Sequence, residues 1–239
     1  MDKIHILSTR ILEPTLTKKL EFAGFTVESI PFIEIQFVQD FRIRNEIEKL
    51  FKEKIVAIFT SSNAIEAISG IHGSEHADWK IFCTESTTKR LVTERFGTNA
   101  ILGAADNSEA LAKLVIDYRP DSWIHFFCGD LRRDELPGLL VRHKIKLKEW
   151  VVYHTQPVPQ MLSNPYQAII FYSPSGVRSF FSANQTEDST VLFAIGETTA
   201  LELRNYGKNR IIFPVRPSTE ELVDKLIAYF QDQQSTINR

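Results

Sequence analysis

The sequence predicts an α/β protein of two similar domains, each a parallel five-stranded sheet with helices on both faces in the flavodoxin-like manner. Three observations lead there. Short β-branched and aromatic runs alternate with stretches of helical periodicity, a pattern that calls for parallel sheets covered by helices. Four blocks recur in one order at nearly one spacing. The order of the remaining strands around those blocks makes one domain an insertion in the other.

Taken in order, the predicted strands are residues 4–7, 27–35, 55–59, 80–83, 100–102, 123–127, 147–153, 168–171, 191–194 and 210–213. Between most of them lie amphipathic segments of helical length, such as Leu16, Leu20 and Phe22-Ala23, or Leu222, Leu226 and Tyr229-Phe230. The repeat is read from pairs. FTSSNAI begins at Phe59 and FYSPSGV at Phe171, 112 residues on. Thr87-Thr88 answers Thr198-Thr199, Gly97 answers Gly207, and Ser108-Glu-Ala-Leu111 answers Thr219-Glu-Glu-Leu222, at separations of 110 or 111. The second copies supply three strands and need the two N-terminal ones to complete a sheet. The first copies sit beside strands 123–127 and 147–153 instead. One domain is therefore residues 1–35 plus 156–239, and the other, residues 36–155, is inserted into it. The chain crosses between domains near Glu34-Ile35 and Tyr153–Val158, where Pro157 and Pro159 favour an extended connector. Doubly connected domains can hinge, which implies a cleft that opens and closes.

Composition removes several classes of function. With 24% charged residues and a net charge of −2, the chain offers no bulk attraction to nucleic acid or acidic lipid. Met1-Asp2-Lys3-Ile4 passes straight into an apolar run without a cationic segment, and no run approaches membrane-spanning length. The expectation is a cytoplasmic monomer without nucleic-acid or membrane partners. Cys83 and Cys128 both end apolar runs and read as two reduced thiols; no CxxC is present. GxxxxGK[ST], GxGxxG, GxSxG and HExxH are all missing, which argues against nucleotide, dinucleotide, serine-hydrolase and zinc-protease chemistry. His72 and His76 are four apart, but Gly73 weakens a shared helix and no third ligand accompanies them.

Asp130, Arg132, Arg133 and Asp134 follow a strand end, either as a cap with solvated charges or with an arginine reaching a ligand carboxylate. The predicted strand-to-helix turns are rich in small polar residues: Ser8-Thr9, Ser61-Ser62-Asn63, Thr84-Glu85-Ser86-Thr87-Thr88, Asn107-Ser108, Ser173-Pro174-Ser175, Gly196-Glu197-Thr198-Thr199 and Ser218-Thr219. Singly, each is an ordinary helix cap. Collectively they mark the carboxyl edge of parallel sheets, where ligands bind and helix N-termini present free N–H groups that suit carboxylates or phosphates. Candidate binding residues are thus Thr9, Arg10, Ser61, Ser62, Asn63, Thr84, Ser86, Gly129, Asp130, Arg132, Ser173, Ser175, Gly196, Thr198, Thr199 and Ser218. Tyr153 leads into the connector. It reads either as an aromatic packing the domain junction or as a phenol able to donate a proton.

At these residues the sequence resembles the uroporphyrinogen-III synthase family. The pieces that carry the likeness are FTSSNA from Phe59, FCGDLRRDEL from Phe127, VVYHT from Val151, FYSPSGV from Phe171, AIGETTA from Ala194 and PSTE from Pro217. The resemblance implies two α/β domains joined by a two-stranded connector, no metal or organic cofactor, and one small-molecule substrate, hydroxymethylbilane, a linear tetrapyrrole with eight carboxylates. It implies loss of water, ring closure and inversion of ring D, with the carboxylates held by backbone N–H groups. It also implies a catalytic role for Tyr153, protonating the departing hydroxyl. Two departures stand out: Glu85 where the family usually has glycine, and His154 where many members place an arginine. A non-catalytic two-domain clamp for a polycarboxylate or tetrapyrrole would carry similar turns.

Overall fold

The computed structural model describes residues 3–71, 77–85 and 87–237. In chain order the elements are β1 (Ile4–Ser8), α1 (Pro14–Phe22), β2 (Phe25–Ser29), β3 (Ile33–Phe37), α2 (Phe41–Leu50), β4 (Val56–Phe59) and α3 (Ser62–Ser69). Then come β5 (Lys80–Thr84), α4 (Thr87–Phe96), β6 (Ile101–Ala105), α5 (Ser108–Tyr118), β7 (Ile124–Gly129), α6 (Glu135–Arg142) and β8 (Leu147–Pro157). The last are β9 (Ala168–Phe171), α7 (Pro174–Phe181), β10 (Val191–Ala194), α8 (Glu197–Leu203), β11 (Ile211–Ile212) and α9 (Thr219–Ile237). Contacts group the chain into two units: Met1–Glu34 with Gln156–Arg239, the split unit, and Ile35–Thr155, the inserted unit.

In the split unit the strands run β11-β10-β9-β1-β2, all parallel. In the inserted unit they run β3-β8-β7-β4-β5-β6, with β4 to β8 parallel. Replace β9, β10, β11, β1 and β2 by β4, β5, β6, β7 and β8 and the two orders coincide. The inserted sheet is therefore a circular permutation of the split one with a strand added at its edge. That addition makes it six-stranded among the described residues, rather than five-stranded as the sequence suggested. The added strand, β3, comes from the expected 27–35 strand, which the fold divides. Pro31 has no N–H to give a ladder, so β2 stops at Ser29 beside β1 and β3 starts afresh beside β8. β8 itself runs past the expected end at residue 153. Val38 N–H donates to Val152 (2.9 Å) and Val158 N–H donates to Phe32 (2.9 Å), the mirrored pattern of antiparallel strands.

The central strands VAIF, AIIF and VLFA are buried at every position, as strands covered on both faces must be. Each sheet has one apolar cluster on either side. Ile6, Leu16, Leu20, Leu222 and Leu226 pack one face of the split sheet, and Leu7, Phe171, Val177, Phe180 and Leu203 the other. In the inserted unit, Trp79 stacks with Phe51, Phe96 and Phe127 at 4.6, 5.4 and 5.3 Å between centroids, while its indole N–H donates to Leu50 (3.0 Å). Cys83 and Cys128 are buried and not joined by a disulfide, and burial pushes their thiols up to about 11 and about 12. Among the described residues no helix is long and apolar enough to cross a membrane.

Candidate active site

Several helices start on small polar residues because four N–H groups at each start lack partners inside the helix. Ser61 accepts from Asn63 N–H (3.2 Å), Asn107 from Ala110 N–H (2.9 Å), Ser173 from Gly176 N–H (3.1 Å) and Ser218 from Glu221 N–H (3.2 Å). These caps line the carboxyl edge of each sheet.

In the inserted unit the edge centres on Tyr153. The β7–β8 register slips between Cys128 and Gly129, so that Tyr153 rather than Val152 faces Gly129. Such a bulge re-aims a side chain. The Tyr153 ring then occupies the space over Gly129: a Cβ there would lie 2.5 Å from ring carbons Cε2 and Cζ and 2.8 Å from the hydroxyl. The phenol donates to Ser61 Oγ (3.1 Å). Burial raises the phenol above its ordinary pKa, with Ser61 and Asn63 pulling the other way. The proton therefore stays on oxygen at neutral pH.

Asp130 organises the chain around this tyrosine. Its backbone N–H donates to the Tyr153 carbonyl (3.2 Å), its Oδ1 accepts from Leu131 N–H and Thr155 N–H (3.0 Å each), and its Oδ2 lies 3.3 Å from His154 Nδ1. Arg132 is tied to Glu149 and Asp134. Glu85 meets Lys89 at 3.1 Å. Ser62, Asn63 and Thr84 are half-buried at the same edge. Ser86, and the pair His72 and His76, lie outside the described residues.

In the split unit, Thr9 is buried and its hydroxyl donates to the Ile170 carbonyl (2.8 Å). Thr199 is buried in α8. Gly196 precedes α8, where a Cβ would come within 3.3 Å of Pro217; Thr198 is half-buried in the first turn. Ser173 and Ser175 share a hydroxyl–hydroxyl bond (3.0 Å). Ser218 also donates to Glu220 (2.8 Å). Arg10 is exposed, with its guanidinium 3.9 Å above the Tyr172 ring centroid and Nη2 donating to Thr219 Oγ1 (2.7 Å).

The structure thus gathers Ser61, Gly129, Asp130 and Tyr153 in one unit and Arg10, Ser173 and Ser218 at the edge of the other. Thr9 and Arg132 are engaged by groups of their own unit, and Thr199 is buried. Sequence reasoning missed Tyr172. The repeat itself held the signal, because Tyr172 stands where the first copy has Thr60.

The family model described as uroporphyrinogen-III synthase HemD matches residues 14–224. Among solved structures, uroporphyrinogen-III synthetase from Helicobacter pylori is similar in fold, with a TM-score of 0.67 at 16% identity over 95% of this chain and 99% of that one. A mutant uroporphyrinogen III synthase from the extremely thermophilic bacterium Thermus thermophilus gives 0.62 at 14% identity, over 97% and 99%. With most of its length covered by that family model, this chain belongs to the uroporphyrinogen-III synthase family.

Proposed function

We propose that the chain works as its family does, as a lyase that converts hydroxymethylbilane to uroporphyrinogen III, with Tyr153 as proton donor. The observation that carries this is a neutral phenol held over Gly129 by a register slip and hydrogen-bonded to a helix-capping serine. Departure of the substrate's terminal hydroxyl needs a proton. In this reading Tyr153 turns its O–H from Ser61 to that oxygen, water leaves, and the electrophilic carbon left on ring A is attacked by ring D. Ring closure with inversion then depends on holding the chain's two ends in one geometry and keeping water out, more than on a strong acid or base.

The substrate's carboxylate arms need donors without bulk positive charge. Backbone N–H groups at helix starts, supported by Ser61, Ser62, Asn63, Thr84, Ser173, Ser175, Gly196, Thr198 and Ser218, meet that need, and Arg10 adds one full charge. We read the two units as flavodoxin-like domains connected through paired β3 and β8. The enzyme works as a monomer in the cytoplasm without a cofactor. A polycarboxylate clamp without catalysis would not need a phenol seated over a glycine.

The test is to add the purified chain to freshly generated hydroxymethylbilane, oxidise, and separate the porphyrin isomers. Type III product is expected, and mainly type I product overturns the proposal. Tyr153→Phe should lower kcat about 100-fold, within the usual range for a general acid, while KM stays within roughly twofold. Wild-type turnover in that variant would remove the phenol from the reaction.

A further inference from the structure

We propose that Tyr172 is the positioning residue of a single-carboxylate subsite whose binding group is Arg10, an inference that rests on the reading of the carboxyl edge as a polycarboxylate site. Tyr172 follows the last residue of β9, next to β1 in the sheet. Ser8 Oγ donates to the Arg10 carbonyl (2.6 Å), which commits its only proton. In the 3.0 Å contact between Ser8 Oγ and Tyr172 Oη the phenol is therefore the donor. The ring so fixed lies under the Arg10 guanidinium at 3.9 Å, and Thr219 Oγ1 takes one N–H at 2.7 Å. Backbone and side chain of Arg10 are thus both held by neutral groups.

A guanidinium has five N–H donors in one plane. Tyr172 covers one face and Thr219 uses one donor, which leaves an edge of the fork open. None of the ion pairs within 4.0 Å among the described residues includes Arg10. An exposed, planar, preorganised cation of this kind matches a carboxylate with two parallel hydrogen bonds. At the start of α9, Ser218 caps Glu221 N–H and donates to Glu220. Glu220 is the nearby negative group, and its carboxyl is held down by its own backbone N–H and Ser218, with Arg10 adding at longer range. It repels an incoming carboxylate and so weakens the subsite.

The wild-type isomer assay comes first, then steady-state kinetics with hydroxymethylbilane on Tyr172→Leu, Tyr172→Phe, Arg10→Lys and the Tyr172→Leu/Arg10→Lys double variant, each checked for an unchanged melting profile. Tyr172→Leu and Arg10→Lys should each raise KM about 10-fold, the worth of one charge-assisted pair, with kcat within about twofold. Tyr172→Phe keeps the ring face and should recover most of the loss. The double variant should be no worse than either single change, because both remove one oriented fork. Glu220→Gln should lower KM. Losses that multiply in the double variant, or a fall in kcat alone, overturn the positioning role. Calorimetric titration with benzenehexacarboxylate separates the two readings. Binding that weakens in Tyr172→Leu, in a chain that makes no type III isomer, keeps the subsite and sinks the reaction. Binding that ignores Tyr172 and Arg10 sinks the subsite.

Discussion

The two carboxyl edges descend from one repeated pattern, yet they handle charge in opposite ways. In the inserted unit Lys89 faces Glu85, and Arg132 faces Glu149 and Asp134, so each of these cations is balanced from within. In the split unit Arg10 rests on a tyrosine ring and a threonine hydroxyl, with its charge left for something else. The tyrosines are opposed in the same sense. Tyr153 presents its hydroxyl at the edge beside a helix cap, whereas Tyr172 turns its hydroxyl to Ser8 and presents its ring face to Arg10. Duplication supplied the same scaffold twice. In the proposed reading, substitution then gave one edge to proton transfer and the other to anion capture.

The sharpest way to break that contrast is Gly129→Ala. The added methyl would sit 2.5 Å from the Tyr153 ring, so the ring must leave its place. Overpacking of this kind costs about 1–3 kcal/mol, and displacing a reacting group by about 1 Å lowers turnover on the order of 100-fold. In a Tyr153→Ala background the same methyl meets empty space, so the stability cost measured by denaturant melts should nearly vanish. If Gly129→Ala turns over like the wild type, the register slip does not serve catalysis.

A matched pair of substitutions probes the cations. Arg10→Met should raise KM about 10-fold with little change in melting temperature, since its guanidinium is exposed. Arg132→Met should leave KM within about twofold but destabilise by about 1–2 kcal/mol, because Glu149 and the stem packing lose their partner. Should the two variants swap these signatures, the assignment of free and engaged charge is wrong.

Sequence periodicity made much of this legible. Apolar runs such as VAIF and AIIF read as central strands, and the near-constant offset of FTSSNAI and FYSPSGV displays the repeated unit. The limits have physical causes. Apolar residues continue on both sides of Pro31 in the 27–35 run, whose division depends on the missing N–H there and on a change of sheet that the residue types do not show. Caps are chosen by helix starts whether or not a ligand is near, so Thr9 and Thr199 looked like Ser61 although they are buried. Arg132 looked available because its partner Glu149 lies 17 residues away in β8. Gly129 was placed in the candidate site, but its service to Tyr153 depends on a one-residue slip that no pattern announces. Tyr172 was passed over because a tyrosine after a strand is commonplace, and its stacking on Arg10 depends on β1 lying beside β9.

A smaller effect distinguishes the units by pH. The split unit's one histidine, His5, is exposed. In the inserted unit His125 Nδ1 accepts the Trp150 indole N–H (2.9 Å), and burial, with Lys148 adding to it, lowers its pKa from the ordinary 6.5 to about 4. Protonation would set a second donor against the indole N–H. A depressed folded-state value means that the native form binds fewer protons than the unfolded chain. The histidine's contribution is therefore complete above pH 6.5 and drains away as pH falls toward 4. Allowing for its partial exposure, lowering pH from about 7 to about 5 should reduce the melting temperature by roughly 3–6 °C through this group. His125→Gln should flatten that part of the slope. Hydrogen exchange at about pH 5 should lose protection in β7 and β8 before β9 and β10; earlier loss in β9 and β10 would assign the acid sensitivity to the split unit instead.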